Sequence, residues 1–283
     1  MPRWAVKTLA VGPGVVVSVV VVGLMLAVTP APVAAVAVLV LAGVAWAVGR
    51  SAWEGAAVRV VLGARRLRPS ERDELAAVLT LLCRAGLGPP LVDLRVAQSR
   101  AIAAIGVGRR TVVVSTGLIE AVALGELPAR QAAAVLAHAA VLVRDGLTRA
   151  DLLIGCVAAP WRALQALVHG ICGVGRQFPA ARVAWRLRVV VVTIAVVQTV
   201  QAGHVGIAVT TAAIGALSYA LPVWERQWRD LLVRAGDAGV LRAGLGDGLV
   251  AFLRTRPRTD ATRARLRMLL PSGLQRPALG LVR

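Results

Sequence analysis

The sequence predicts an α-helical integral membrane protein with a small α+β domain set between two membrane hairpins. Three observations predict it. Apolar runs without charge come in two pairs, residues 9–28 with 31–48 and the two halves of 189–223. Between the pairs the pattern changes to helical stripes and short β-branched runs bounded by Gly and Pro. Arginines crowd the ends of the apolar runs: Arg3 (with Lys7) and Arg50 around the first pair, and Arg182, Arg186, Arg188, Arg226 and Arg229 around the second.

In the first pair, residues 9–28 are about as long as a bilayer core requires and 31–48 nearly so. Thr29, Pro30 and Pro32 set a tight turn between them. A secretory signal is the competing reading of the first run. The run is too long for a typical signal core and a second apolar helix follows at once, so a retained anchor is expected.

A helix is expected from Ser70, with Ser70 as cap, Asp73 three residues on, and a stripe of Leu75, Val78, Leu79 and Leu82. Residues 86–90 end it. Residues 91–97 read as a strand, and 101–107 with 111–114 as a hairpin around Gly108, Arg109 and Arg110. The second hairpin strand runs into a helix start capped by Ser115 and Thr116. Gly106 and Gly108 are not a nucleotide fingerprint, because the third Gly and the strand-to-helix setting are missing.

An Ala-rich helix follows over residues 131–142. Residues 150–174 are apolar but interrupted by Pro160, Trp161 and Arg162. They are expected to pack inside the domain or at the membrane interface, since Arg at the centre of a span is costly. Residues 189–223 as one helix would be about 50 Å long against a hydrocarbon core of about 30 Å. A hairpin turning at residues 203–206 is expected instead, with Gln198, Thr199 and Gln201 near the turn available for hydrogen bonds between helices.

Further on, Arg254, Arg256, Arg258, Arg263, Arg265 and Arg267 stand with the single acid Asp260. Such a segment fits anionic lipid head groups, nucleic acid, or a solvated tail beside the membrane. No aromatic residues are interleaved for base stacking, which favours lipid over nucleic acid. Residues 271–283 read as a loose tail.

The segment Val135-Leu-Ala-His138-Ala-Ala-Val-Leu142 carries the functional signal. A zinc-peptidase helix of the form H-E-x-x-H places two His one turn apart as ligands and uses the Glu as general base. Here His138 stands at the first His, Ala139 at the Glu and Leu142 at the second His. The order of Thr111-Val-Val-Val-Ser-Thr-Gly-Leu-Ile-Glu120, Gly125-Glu-Leu-Pro-Ala-Arg130 and Gln131-Ala-Ala-Ala-Val-Leu-Ala-His138 resembles the HtpX-type membrane metallopeptidases, relatives of the CAAX prenyl endopeptidases. The resemblance covers roughly residues 95–254. It implies a zincin-like architecture with two membrane hairpins, and a strand over the active-site helix that holds substrate backbone by strand addition. It also implies a third ligand, a Glu four residues before an Asp. The best register puts Asp237 at that Asp and Val233 at the ligand position. A rival register through Asp230 puts Arg226 there, and Glu225 misses by one residue, a rotation of about 100°.

A catalytic zinc keeps three protein ligands and a water. His138 alone does not supply them, and no base stands at position 139. The pattern therefore implies a degenerate member with no catalytic residue and no zinc. Its vestigial positions are His138, Ala139, Leu142, Val233 and Asp237. A packed, non-ligating role is the plain alternative for His138. His169 and His204, the other two histidines, do not pair with it in sequence.

The net charge is +19 and Lys7 is the only lysine. By the positive-inside rule a multi-pass protein of the inner (plasma) membrane is expected, with both termini and the domain cytoplasmic. Cys83, Cys156 and Cys172 form no C-x-x-C pair and are expected as free, mostly buried thiols. The expected organisation is a hairpin over 1–49, a peptidase-like domain over 50–182, a second hairpin over 183–224, a helical Arg-rich part over 225–270, and the tail. The expected role is an inactive scaffold, regulator or peptide-binding subunit working with a protein partner or a second copy, with anionic lipid rather than nucleic acid as a further contact. An active zinc endopeptidase with a non-standard site, and a basic membrane-tethered DNA- or lipid-binding protein, are the alternatives.

Overall fold

The computed structural model describes residues 2–49, 53–161 and 187–269, with 163, 166 and 170 as isolated helical positions. The expectations for Arg50, Arg162, His169, Cys172, Arg182, Arg186 and residues 271–283 lie outside the described residues. The fold is mostly helical with one small mixed sheet. The chain divides into two compact units, Met1–Ala45 with Ile154–Leu231, and Trp46–Leu153 with Leu232–Arg283.

In the first unit, α1 (Arg3–Ala27) and α2 (Ala31–Gly49) are joined by a turn in which Thr29 Oγ1 donates to the Met25 carbonyl at 2.7 Å. Ala10, Gly14 and Ser18 recur every fourth residue on α1 and are buried. Such spacing places them on one face. The Trp161 indole lies against Gly14, and the Trp161 backbone N–H donates to Ser18 Oγ at 3.1 Å. The second pair is α9 (Arg188–Gln201) and α10 (Val205–Arg242). Gly203, at φ +78°, makes the turn between them, and His204 N–H donates to the Thr199 carbonyl at 3.0 Å.

Among the described residues two helices, Arg3–Ala27 and Val205–Arg242, are long and apolar enough to cross a membrane. Val189–Gln201 is a shorter apolar helix. α2, at 19 residues, is about 28 Å long, close to a core of about 30 Å. The shorter arm of the second pair, at 14 residues, is about 21 Å long, short of a core of about 30 Å. Thr199 does not reach between helices. Its hydroxyl donates to the Ala195 carbonyl of its own helix at 2.6 Å.

The second unit is built on a sheet of β1 (Arg65–Arg66), β2 (Asp93–Ala97), β3 (Ala104–Val107) and β4 (Thr111–Ser115), in the order β1-β2-β4-β3. β2 and β4 are parallel and the outer pairs antiparallel. Every residue of β4 is buried, as a strand covered on both faces requires. Val112 and Val114 pack into the core that contains α7 (Ala129–Arg144), α5 (Ala76–Arg84), α6 (Thr116–Ala123) and α11 (Gly246–Thr255). Val113 packs with Ala57 and Val58 of α3 (Glu54–Leu62) and with Leu152 of α8 (Asp151–Val157).

Four local expectations are corrected. The helix expected from Ser70 starts at Pro69 and breaks at Leu75, giving α4 (Pro69–Glu74) before α5. Pro69 presets the first helical turn. The Glu71 carboxylate, not Ser70, accepts the Arg68 N–H at 2.8 Å, which is half of a capping box. β1 was not expected from its two arginines. Cys83 is exposed rather than buried, and Cys156 is half-buried. Residues 260–269 are no solvated tail. They form α12 (Asp260–Leu269), which packs on the domain through Leu269 and Leu266.

Candidate functional site

The site is built around α7. Its Ala-rich sequence favours helix and lets neighbouring backbones come close. Gly106 of β3, Gly239 of α10 and Gly248 of α11 supply that closeness. A Cβ at Gly106 would meet the Ala139 carbonyl at 2.7 Å, one at Gly248 would meet the Arg130 carbonyl at 2.5 Å, and one at Gly239 would collide with Val141. The pattern continues at Gly236, where an added Cβ would lie 2.5 Å from Nδ1 and 2.6 Å from Nε2 of His138. The imidazole therefore lies flat on a helix backbone that has no side chain there.

The next residue of α10 completes the contact. Asp237 Oδ1 is 3.0 Å from His138 Nδ1, with the side chains 8% and 19% exposed. The approach is within ion-pair distance but is not aligned as an N–H···O bond, and among the described residues Nδ1 has no hydrogen-bond partner. Arg265 of α12 closes the cluster. Its Nε donates to Asp237 Oδ2 at 2.9 Å and its Nη2 to Oδ1 at 2.5 Å, a bidentate fork. Burial pushes the Asp237 carboxyl up, but the close His138 ring and the hydrogen bonds and charge of Arg265 outweigh it and hold the group below its ordinary value. Three elements, α7, α10 and α12, are thus tied by one ionised carboxylate.

His138 and Asp237, each singled out in the sequence for a separate reason, touch. The other three motif positions carry no donor: Ala139 is fully buried against β3, Leu142 is buried, and Val233 is half-buried hydrocarbon. Among the described residues no three His, Cys, Asp or Glu side chains converge. His138 and Asp237 offer two donors at most, and both Asp237 oxygens are taken by a guanidinium. The described residues around His138 do not fit a zinc site, which needs three protein ligands.

The six C-terminal arginines are not one surface. Arg265 is inside the cluster just described. Arg256 donates to the Ile102 carbonyl and lies 4.7 Å over the Phe252 ring. Arg263 pairs with Asp260 at 2.7 Å. Arg254, Arg258 and Arg267 are exposed. No sequence signal marks Arg265 apart from its neighbours, because its partner lies 28 residues away in sequence.

Two further features escaped the sequence. Buried Glu54, at the start of α3, accepts from the Arg109 and Arg110 N–H groups at 3.0 Å each and from Thr111 Oγ1 at 2.7 Å. It staples the β3–β4 turn, where Gly108 takes φ +69°. β3 is also an edge of the sheet. Ser115 N–H donates to the Ala103 carbonyl at 3.1 Å, so alternation along the ladder turns the backbone of Ala104 away from β4. Exposed Ile105 follows on that edge.

No family model matches the chain, and no curated protein or solved structure matches it either.

Proposed function

We propose that this chain is a membrane-embedded pseudopeptidase, a non-cleaving protein of HtpX-like design that works as a scaffold, regulator or peptide-binding subunit at the cytoplasmic face. The observation that carries the reading is the His138–Asp237–Arg265 cluster. A motif helix and a downstream Asp, matched in sequence by register alone, meet in space. A guanidinium engages the carboxylate, and the Glu and second His are Ala139 and Leu142. Hydrolysis of a peptide needs an activated water, and this cluster contains no group to activate one. The two helices with the length and apolarity of spans support membrane association. The arginines flanking the apolar runs support a cytoplasmic domain.

Peptide binding without cleavage uses the β3 edge, where Ala104 presents outward backbone. A fluorescein-labelled β-casein fragment, an extended peptide, tests this with the full chain in detergent. Saturable binding without cleavage is expected, weakened at least about tenfold by Ala104→Pro, which removes an outward donor but no ladder bond. Cleavage of the fragment, or undiminished binding by Ala104→Pro, contradicts the reading.

A further inference from the structure

We propose that the cleft beside β1 and β2, on the α3 side of the sheet, binds a dianionic phosphate group. The first observation is a conflict in the ladder. Arg66 of β1 stands directly opposite Arg95 of β2. Like charges so placed destabilise a strand pair. Both residues line the same cleft, of about 770 Å³, within the size range of small-molecule sites. An anion between the two guanidinia turns the repulsion into attraction.

The second observation is that Arg95 is built in rather than solvated. Its side chain is 10% exposed, and its Nε donates to Asp93 Oδ2 at 3.0 Å. Gly55 leaves the room its Nη2 occupies, since a Cβ there would collide with that atom. The guanidinium is thus fixed by one nitrogen, and the other two make no hydrogen bond among the described residues.

Charge and shape select the ligand. Arg68, Arg72 and Arg110 join Arg66 and Arg95 in the lining, against Glu54, Asp73 and Asp93. Five cations against three anions leave an excess of two positive charges. Asp93 is matched to Arg95, and Glu54 holds the β3–β4 turn, so the excess belongs to the open arginines. Guanidinia meet phosphate oxygens in bidentate pairs. The lining has no aromatic residue on which a nucleobase would stack, so a single phosphate head fits better than a nucleotide or a nucleic-acid strand. A lipid head group and a soluble phosphate share this chemistry. Trp53 and Val60, exposed at either end of α3, suit the first source.

The full chain in detergent is titrated calorimetrically with dihexanoyl phosphatidic acid and with inorganic pyrophosphate. Saturable binding of at least one is expected. It weakens at least about tenfold in the Arg66→Gln/Arg72→Gln variant and less than about twofold in Arg258→Gln/Arg267→Gln, which loses the same charge elsewhere. Asp73→Asn removes an acid from the lining and is expected to tighten binding, an effect that unfolding does not mimic. Binding of phosphatidic acid alone assigns the site to a lipid head group, and equal binding of both assigns it to a soluble phosphate. Absence of saturable binding to either probe, equal weakening by the two arginine pairs, or no tightening by Asp73→Asn overturns the proposal.

Discussion

The two units use the same Ala, Val and Leu vocabulary against different surroundings. In the first, Leu24, Leu39 and Ile214 are 65%, 72% and 64% exposed. In the second, Leu118, Leu136 and Val141 are buried. The first unit's contacts include Trp161 on Gly14 and Ser18, and the Lys7 ammonium 5.5 Å from the Trp228 ring centroid. The second packs glycine backbones against an alanine helix and locks the result with buried ions. Apolar surface on this scale in the first unit calls for lipid or a partner. The second unit supplies its own core, and its stability should respond sharply to single substitutions.

The largest response is expected from Asp237→Ala, which leaves Arg265 and His138 without their anion. Breaking a buried pair from one side costs about 3–5 kcal/mol, read as a lower thermal midpoint in detergent. The pH dependence has a defined sign. The Asp237 carboxyl is held below its ordinary value in the fold. Its contribution is therefore complete above the unfolded value of about 3.9 and is lost as pH falls from there through the folded value. The wild-type midpoint should approach that of Asp237→Asn in that acid window and exceed it at neutral pH.

Glu54→Ala comes next, at roughly 2–3 kcal/mol, because two backbone N–H groups and the Thr111 hydroxyl lose a charged acceptor. Glu71 is a milder case of the same kind. Hydrogen bonds from Arg65 hold its carboxyl down to about 2, yet the pair lies near the surface and Glu71→Gln should lower the midpoint only slightly.

Glycine substitutions draw the contrast between the units most finely. Gly236→Ala drives a methyl into the His138 ring and should destabilise by about 1–3 kcal/mol. Gly23→Ala in α1 meets nothing within 4 Å. It should be neutral or stabilising by up to about 1 kcal/mol through helix propensity. Equal effects at the two positions, measured as thermal midpoints, would remove the distinction drawn between the units.

Much of the fold was legible in periodicity and turn chemistry. The apolar helices, the Gly203 turn, the β3–β4 hairpin and the Ser115 cap, whose Oγ accepts the Leu118 N–H at 3.2 Å, each follow from a local pattern. β1 was not legible, because two arginines carry no strand signal and only pairing with Val96 and Arg95 makes them one. The α4 start was misread because Pro69, which presets the first helical turn, moves the N-cap to Arg68, ahead of Ser70. At the site, the register of the resemblance named His138 and Asp237 separately, and neither their contact nor Arg265 followed from it, since long-range ion pairs leave no periodicity. The cleft was invisible for the same reason: it depends on which strands meet, and the Arg66–Arg95 opposition exists only in the sheet.

The claim that His138 no longer serves a metal is tested most directly by metal content. Detergent-purified protein is analysed by mass spectrometry beside His138→Ala. We expect zinc far below one ion per chain in both. Near-stoichiometric zinc in the wild type, lost in His138→Ala, would contradict the pseudopeptidase reading and place a working metal centre at α7.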